Sequence, residues 1–112
     1  MANRLSDDVT VLLNQTVVPA VTAPVAPILV RGSTVTITWT GFRGKWVRIQ
    51  LFQGNNYVRR ISDKPAYTAN DCSFDWTIPN TVKLGNNYRI KIFADSDPRQ
   101  NAFSRVFSIV AP

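Results

Sequence analysis

The 112-residue sequence predicts an all-β fold, an antiparallel sandwich of short strands, and three observations carry that prediction. Apolar residues recur with period two in several separate runs, the signature of half-buried strands. No window holds a convincing helical stripe. Clusters of Gly, Asn and Pro divide the runs at intervals that suit a sandwich better than a barrel. A chain of this length makes one domain and buries roughly two-thirds of the surface that its unfolded form exposes.

The clearest strand is Thr34 to Thr40, with apolar side chains at odd positions and threonines at even ones, so that Trp39 points inward. Trp46 to Phe52 follows, placing Val47, Ile49 and Leu51 on one face and Trp46, Arg48, Gln50 and Phe52 on the other. Gly54-Asn55-Asn56 marks a turn, because these residues accept positive φ at low cost. Tyr57 to Ile61 is a short strand, and Ser62 to Asp71, which contains Pro65, is a loop or an irregular edge. Cys72 to Ile78 alternates again until Pro79 stops it. Cys72 shares the parity of Phe74, Trp76 and Ile78, so a buried thiol is expected.

Tyr88, Ile90 and Ile92 face inward on the next strand, which opens just after the turn Gly85-Asn86-Asn87. A tyrosine in that position is the sequence form of the tyrosine corner, whose hydroxyl bonds back to upstream backbone. Asp95 to Asn101 is read as a loop, and Phe103 to Val110 as the last strand, with Phe107 and Ile109 inward. The class is therefore an immunoglobulin/fibronectin-III-like antiparallel β-sandwich.

The first 18 residues differ from the rest. Val9 to Leu13 is extended and apolar, and the stretch beyond Asn14-Gln15-Thr16 is punctuated by Pro19, Pro24 and Pro27. Prolines at that density oppose both a helix and a central strand. Residues 1–18 are expected to form an extended arm and residues 19–112 the sandwich. The arm could add Val9, Val11 and Leu13 as a strand to an open sheet edge of a neighbouring subunit.

Several functions are disfavoured by composition. Histidine is absent, which removes Ser-His and Cys-His nucleophile pairs and the usual zinc sites. All seven acidic residues are Asp, mostly in the arm and in turns, so no enzymatic activity, cofactor or metal is expected. Asp95 and Asp97 alone fall short of the six to eight oxygens that calcium takes. Lone Cys72 cannot form an internal disulfide. No apolar run is long enough to span a bilayer, and the segment Met1 to Thr10, with Arg4, Asp7 and Asp8, does not read as a signal peptide. The net charge of +6 favours anionic partners, although it also serves ordinary solubility.

If the strands at Trp46 to Phe52 and Arg89 to Phe93 pair, their outward residues form one surface. Trp46, Arg48, Gln50 and Phe52 then lie beside Arg89, Lys91 and Phe93, with Val106 and Val110 alongside from the last strand. Aromatic residues and arginine are enriched at protein interfaces, and two Phe residues on a solvated face call for a partner. Trp46, Arg48, Phe52, Arg89, Lys91 and Phe93 are thus the candidate partner-binding residues, with Val9, Val11 and Leu13 of the arm. The same mixture could bind a glycan. Nucleic acid is disfavoured, since the bases are spread over many strands and no recognition helix or RNA-binding signature is present.

From Val21 onward the order of motifs resembles the immunoglobulin-like domain of fungal Ser/Thr-rich, GPI-anchored cell-surface proteins, also found in β-glucan-assembly and bacterial surface proteins. The matching segments include Arg31-Gly-Ser-Thr-Val-Thr-Ile-Thr-Trp39, Val47-Arg-Ile-Gln-Leu-Phe-Gln-Gly54, Phe74-Asp-Trp-Thr-Ile-Pro79, Gly85-Asn-Asn-Tyr-Arg-Ile-Lys-Ile92 and Phe103 to Ile109. They cover about four-fifths of the chain in the right order. The resemblance implies a non-catalytic surface module. This chain lacks the Ser/Thr-rich tail and the anchor signal and adds an arm, so a unit of a larger assembly is expected: a virion decoration or minor capsid protein, or an envelope-layer protein, docked to other subunits. The alternative is a carbohydrate-binding or adhesion module of a secreted cell-surface protein.

Overall fold

The computed structural model describes residues 18–62 and 65–112. The expected strand at Val9 to Leu13 lies outside them. Among the described residues ten strands follow in order: β1 (Ala20–Ala23), β2 (Ile28–Val30), β3 (Thr34–Thr40), β4 (Trp46–Gln53), β5 (Asn56–Arg60), β6 (Thr68–Ala69), β7 (Ser73–Thr77), β8 (Gly85–Ala94), β9 (Asp97–Phe103) and β10 (Phe107–Val110). They form two sheets, a small one ordered β1-β3-β7 and a larger one ordered β2-β10-β8-β4-β5, with β9 added to β8 and β6 to β4. The chain is an all-β sandwich.

Alternation places the core. Ile37 and Trp39 of the small sheet face Val47, Ile49 and Leu51 of β4, Ile90 and Ile92 of β8, and Phe107 and Ile109 of β10, all buried. Burying each such side chain stabilises by ~1.5–3 kcal/mol before chain entropy is counted. The even-numbered threonines of β3 point out and join hydroxyls across the small sheet: Thr34 to Thr77 at 2.8 Å, Thr38 to Thr22 at 2.6 Å, and Thr36 to the Asp75 carboxylate at 2.8 Å. That outer face is polar along β3 and β7. The tyrosine corner forms as the sequence predicts, with Tyr88 Oη donating to the Lys83 carbonyl at 2.7 Å.

Three expectations need correction. The proline-punctuated stretch after residue 18, for which the sequence predicts no strand, forms two: Ala20–Ala23 pairs with β3 and Ile28–Val30 runs parallel to β10. Both are edge positions, which proline tolerates because its missing N–H would face outward. The chain changes sheets between them at Pro24, which is buried behind a cis peptide. Next, Asp97–Phe103 is a strand and not a loop, pairing with β8 through Ala102↔Ile92 and Phe103↔Lys91 after an irregular stretch around Pro98. Finally, Cys72 is exposed. Its φ of +72° breaks the pleat, so the parity counted back from Trp76 does not run through it.

Candidate functional site

Antiparallel pairing of β4 with β8 sets Arg48 opposite Phe93, Gln50 opposite Lys91 and Phe52 opposite Arg89. The inward residues between them are fully buried, so these side chains share the outer face of the larger sheet. The expected surface thus exists as one face. Its neighbour on the far side of β8 is β9, however, and not the last strand. Phe103 stands beside Lys91, whereas β10 flanks only Gly85 and Tyr88. Val110, level with the start of β8, and Val106, exposed outside any strand, therefore stand away from the Lys91 cluster.

Rings and cations interlock across this face. The Lys91 ammonium stands 5.5 Å from the Phe52 and Phe93 ring centres and 5.8 Å from that of Phe103. All three distances fall within the reach of cation–π attraction. The Arg89 guanidinium lies 4.1 Å over Phe103 and donates to the Gly54 carbonyl at 2.9 Å and to Asn55 at 3.2 Å, which fixes it against the β4–β5 turn. Phe52 meets Phe103 and Tyr57 edge-on, at 5.6 and 5.9 Å. Phe52, Phe93 and Phe103 are half-buried on the outside of the sheet, and Phe52 and Phe103 shield each other.

A second pair of rings occupies the other end of β4. Trp46 and Tyr67 meet edge-on at 5.0 Å, and Trp46 keeps 45% of its surface exposed. Beside them Arg48 Nε donates to Asp95 at 2.6 Å, and the Asp95 N–H donates to the Trp46 carbonyl at 3.0 Å. Asp97 is held by Arg99, whose hydrogen bond keeps its carboxyl below the usual range. Both carboxylates considered for calcium are thus engaged by guanidinium groups. Among the described residues no group of three His, Cys, Asp or Glu could hold a metal, and no helix is long and apolar enough to cross a membrane.

Sequence reasoning missed Phe103, Tyr57 and Tyr67 as members of the face. Phe103 reads as the start of the last strand, where it shares the parity of inward Phe107 and Ile109; it instead closes β9, and residues 104–106 separate it from β10. Tyr57 and Tyr67 reach the face only through pairings, β5 and β6 on β4, that alternation cannot reveal. Val9, Val11 and Leu13 lie outside the described residues.

Two facing sheets, a buried tryptophan and a tyrosine corner make this an immunoglobulin-like domain. The chain belongs to the family of Kre9/KNH-like N-terminal Ig-like domains, whose model matches residues 18–109. That family is one of fungal cell-surface and β-glucan-assembly proteins, which is the resemblance the motifs carry. It supports a place at the cell surface or outside the cell. No curated protein matches the sequence.

Proposed function

We propose that the chain is a non-enzymatic docking module of a cell-surface assembly, which engages other protein subunits through the outer face of its larger sheet. One observation supports this reading above the others: Lys91 and Arg89 stand among Phe52, Phe93 and Phe103 on that face, while the opposite face carries hydroxyl pairs and a hydroxyl–carboxylate bond along β3 and β7. Aromatic rings with arginine make the composition of an interface centre. Cations over the ring faces favour an acidic or backbone-rich partner surface over a flat apolar one. With neither histidine nor glutamate in the chain, acid–base catalysis has little to work with. Val9, Val11 and Leu13 would add a second contact by strand addition. Family membership favours a wall or envelope layer over a virion shell as the setting.

The test compares the two faces directly. A photo-crosslinking amino acid in place of Phe93 or Phe103, in the full chain on cells, should give discrete protein adducts, and the same group in place of Thr36 should not. Equal yields from both faces, or none from either, would sink the proposal.

A second reading rests on Trp46 and Tyr67. Two exposed rings beside the Arg48–Asp95 pair could stack and hydrogen-bond a neutral sugar. Saturable binding on a glycan array, lost in Trp46→Ala, would favour that reading.

A further inference from the structure

At the end of the sandwich remote from Trp46, a groove of about 300 Å³ opens between the β4–β5 hairpin and the loop that leads into β8. Its size is at the small end of the range for small-molecule sites. Val58, Val82 and Tyr88 give it apolar walls, and Arg59, Lys83, Gln53 and Thr81 supply polar groups.

A register shift puts Arg59 there. Gln53 faces Asn56 and Phe52 faces Tyr57, but Leu51 faces Arg59, so Val58 is an extra residue in β5. Without that bulge, strict alternation from the outward Tyr57 would carry Arg59 outward too. With it, Arg59 shares the face of buried Leu51 at the open mouth of the sandwich, where Nη1 donates to the Thr81 hydroxyl at 3.0 Å. That bond uses one of five guanidinium N–H groups. The facing loop is pinned at two points: Lys83 by Tyr88, and Val82 by Arg31 Nη1 donating to its carbonyl at 3.2 Å. The site is held in shape before any ligand arrives.

Among the described residues the charge lining the groove is one-sided. Among the described residues no carboxylate lines it. Asp95 and Asp97 lie at the far end of β8, about 20 Å or more from Tyr88 at strand rise. Asp71 lies beside Asn70, whose N–H bonds to Lys45 at that same far end, and Asp75 is bonded to Thr36 on the outer face of the small sheet. Arg59 and Lys83 form no ion pair with any of these described carboxylates.

From this geometry we infer an anion-binding site for the carboxylate of an acidic saccharide, a uronic-acid unit. Arg59 and Lys83 bracket the carboxylate. Gln53 and Thr81 meet hydroxyls, and Val58, Val82 and the edge of Tyr88 take the C–H face of the ring. A neutral amide and a hydroxyl interleaved with the cations suit a polyol better than an acidic peptide. This inference is independent of the outer-face proposal, since none of its residues belongs to the Phe52–Lys91–Phe103 cluster.

The test is titration of the full chain with trigalacturonate at low salt, followed by calorimetry or amide chemical shifts, with maltotriose and a tri-aspartate peptide alongside. Saturable trigalacturonate binding is expected, weakened at least about tenfold by Lys83→Gln and by Arg59→Gln, as for loss of one charge-assisted contact. Arg99→Gln, at the far end, should leave it unchanged. Lys83 is exposed, so its variant keeps the fold even if Arg59→Gln does not. Absence of binding, or binding indifferent to Lys83→Gln, overturns the site. Tighter binding of tri-aspartate than of trigalacturonate overturns the saccharide assignment in favour of an acidic peptide.

Discussion

Ser62 and Ser104 perform the same task on opposite edges of the paired strands β4 and β8. The Ile49 N–H donates to the Ser62 hydroxyl at 2.9 Å, and the Ile90 N–H donates to the Ser104 hydroxyl at 2.9 Å. Each serine sits where the neighbouring ladder is interrupted, Ser62 between β5 and β6 and Ser104 between β9 and β10. At each break the core strand would keep a buried donor without a strand partner. The hydroxyl replaces the missing carbonyl, so the long strands β4 and β8 can carry two shorter partners apiece along one edge.

This arrangement makes both serines costly to remove. Ser62→Ala and Ser104→Ala each leave a buried amide N–H unpaired and should destabilise by about 1–3 kcal/mol. Urea unfolding checks it through a lowered midpoint at unchanged m-value. A loss below about 0.5 kcal/mol, the level of an ordinary surface change, would mean that water replaces the hydroxyl.

Tyr88 links stability to alkaline pH. Burial pushes its phenol above the ordinary 10.0, because the phenolate would lose hydration. The folded state therefore holds the proton more tightly than the unfolded chain does. The associated stability is fully present below pH 10.0 and is lost as pH rises through the folded-state value. Tyr88→Phe should cost about 1 kcal/mol at neutral pH, through loss of the bond to Lys83. It should also flatten the alkaline limb of the stability–pH curve, and an unflattened limb would assign that limb to other groups.

Alternation made most of the core legible, since Ile37, Trp39, Val47, Ile49, Leu51, Ile90 and Ile92 all fall inside as their parity requires. The Phe52–Lys91 neighbourhood was legible for the same reason, once β4 and β8 were assumed to pair. Positions where the period itself breaks were not. The Val58 bulge, the left-handed Cys72 and the split of the last strand at Ser104 each shift parity by a local backbone choice. A period-two reading carries no information about such a choice.

Cys72 gives a chemical test of one of these breaks. With the thiol exposed, a disulfide reagent should modify it in the native protein about as fast as in the urea-unfolded chain. A buried thiol would react only through unfolding. Cys72→Gly should be neutral or stabilising by up to about 1 kcal/mol, because glycine adopts the positive φ without a Cβ clash. Slow native-state modification would restore the parity reading, with the thiol facing the core.

Asn70 is the remaining residue on which the site depends without belonging to it. Its Oδ1 accepts the Trp39 indole N–H at 2.9 Å, and its Nδ2 donates to the carbonyls of Phe42 and Gly44, both at 2.9 Å. One amide thus ties the largest buried side chain to the loop that delivers Trp46. Asn70→Ala removes all three bonds and leaves the indole donor unpaired in a part-buried setting, a loss of about 1–3 kcal/mol. Asn70→Asp separates the two roles: the carboxylate still accepts from Trp39 but faces two carbonyl oxygens with no proton to give. Near neutral pH the Asp variant should therefore be clearly less stable than wild type while its Trp39 environment stays native. Lowering the pH through the carboxyl range should recover part of the loss, as a protonated acid regains one donor. Tryptophan fluorescence during urea unfolding at two pH values reads both effects, and a stability gap between the Asp variant and wild type that widens on acidification would refute the donor role of Nδ2.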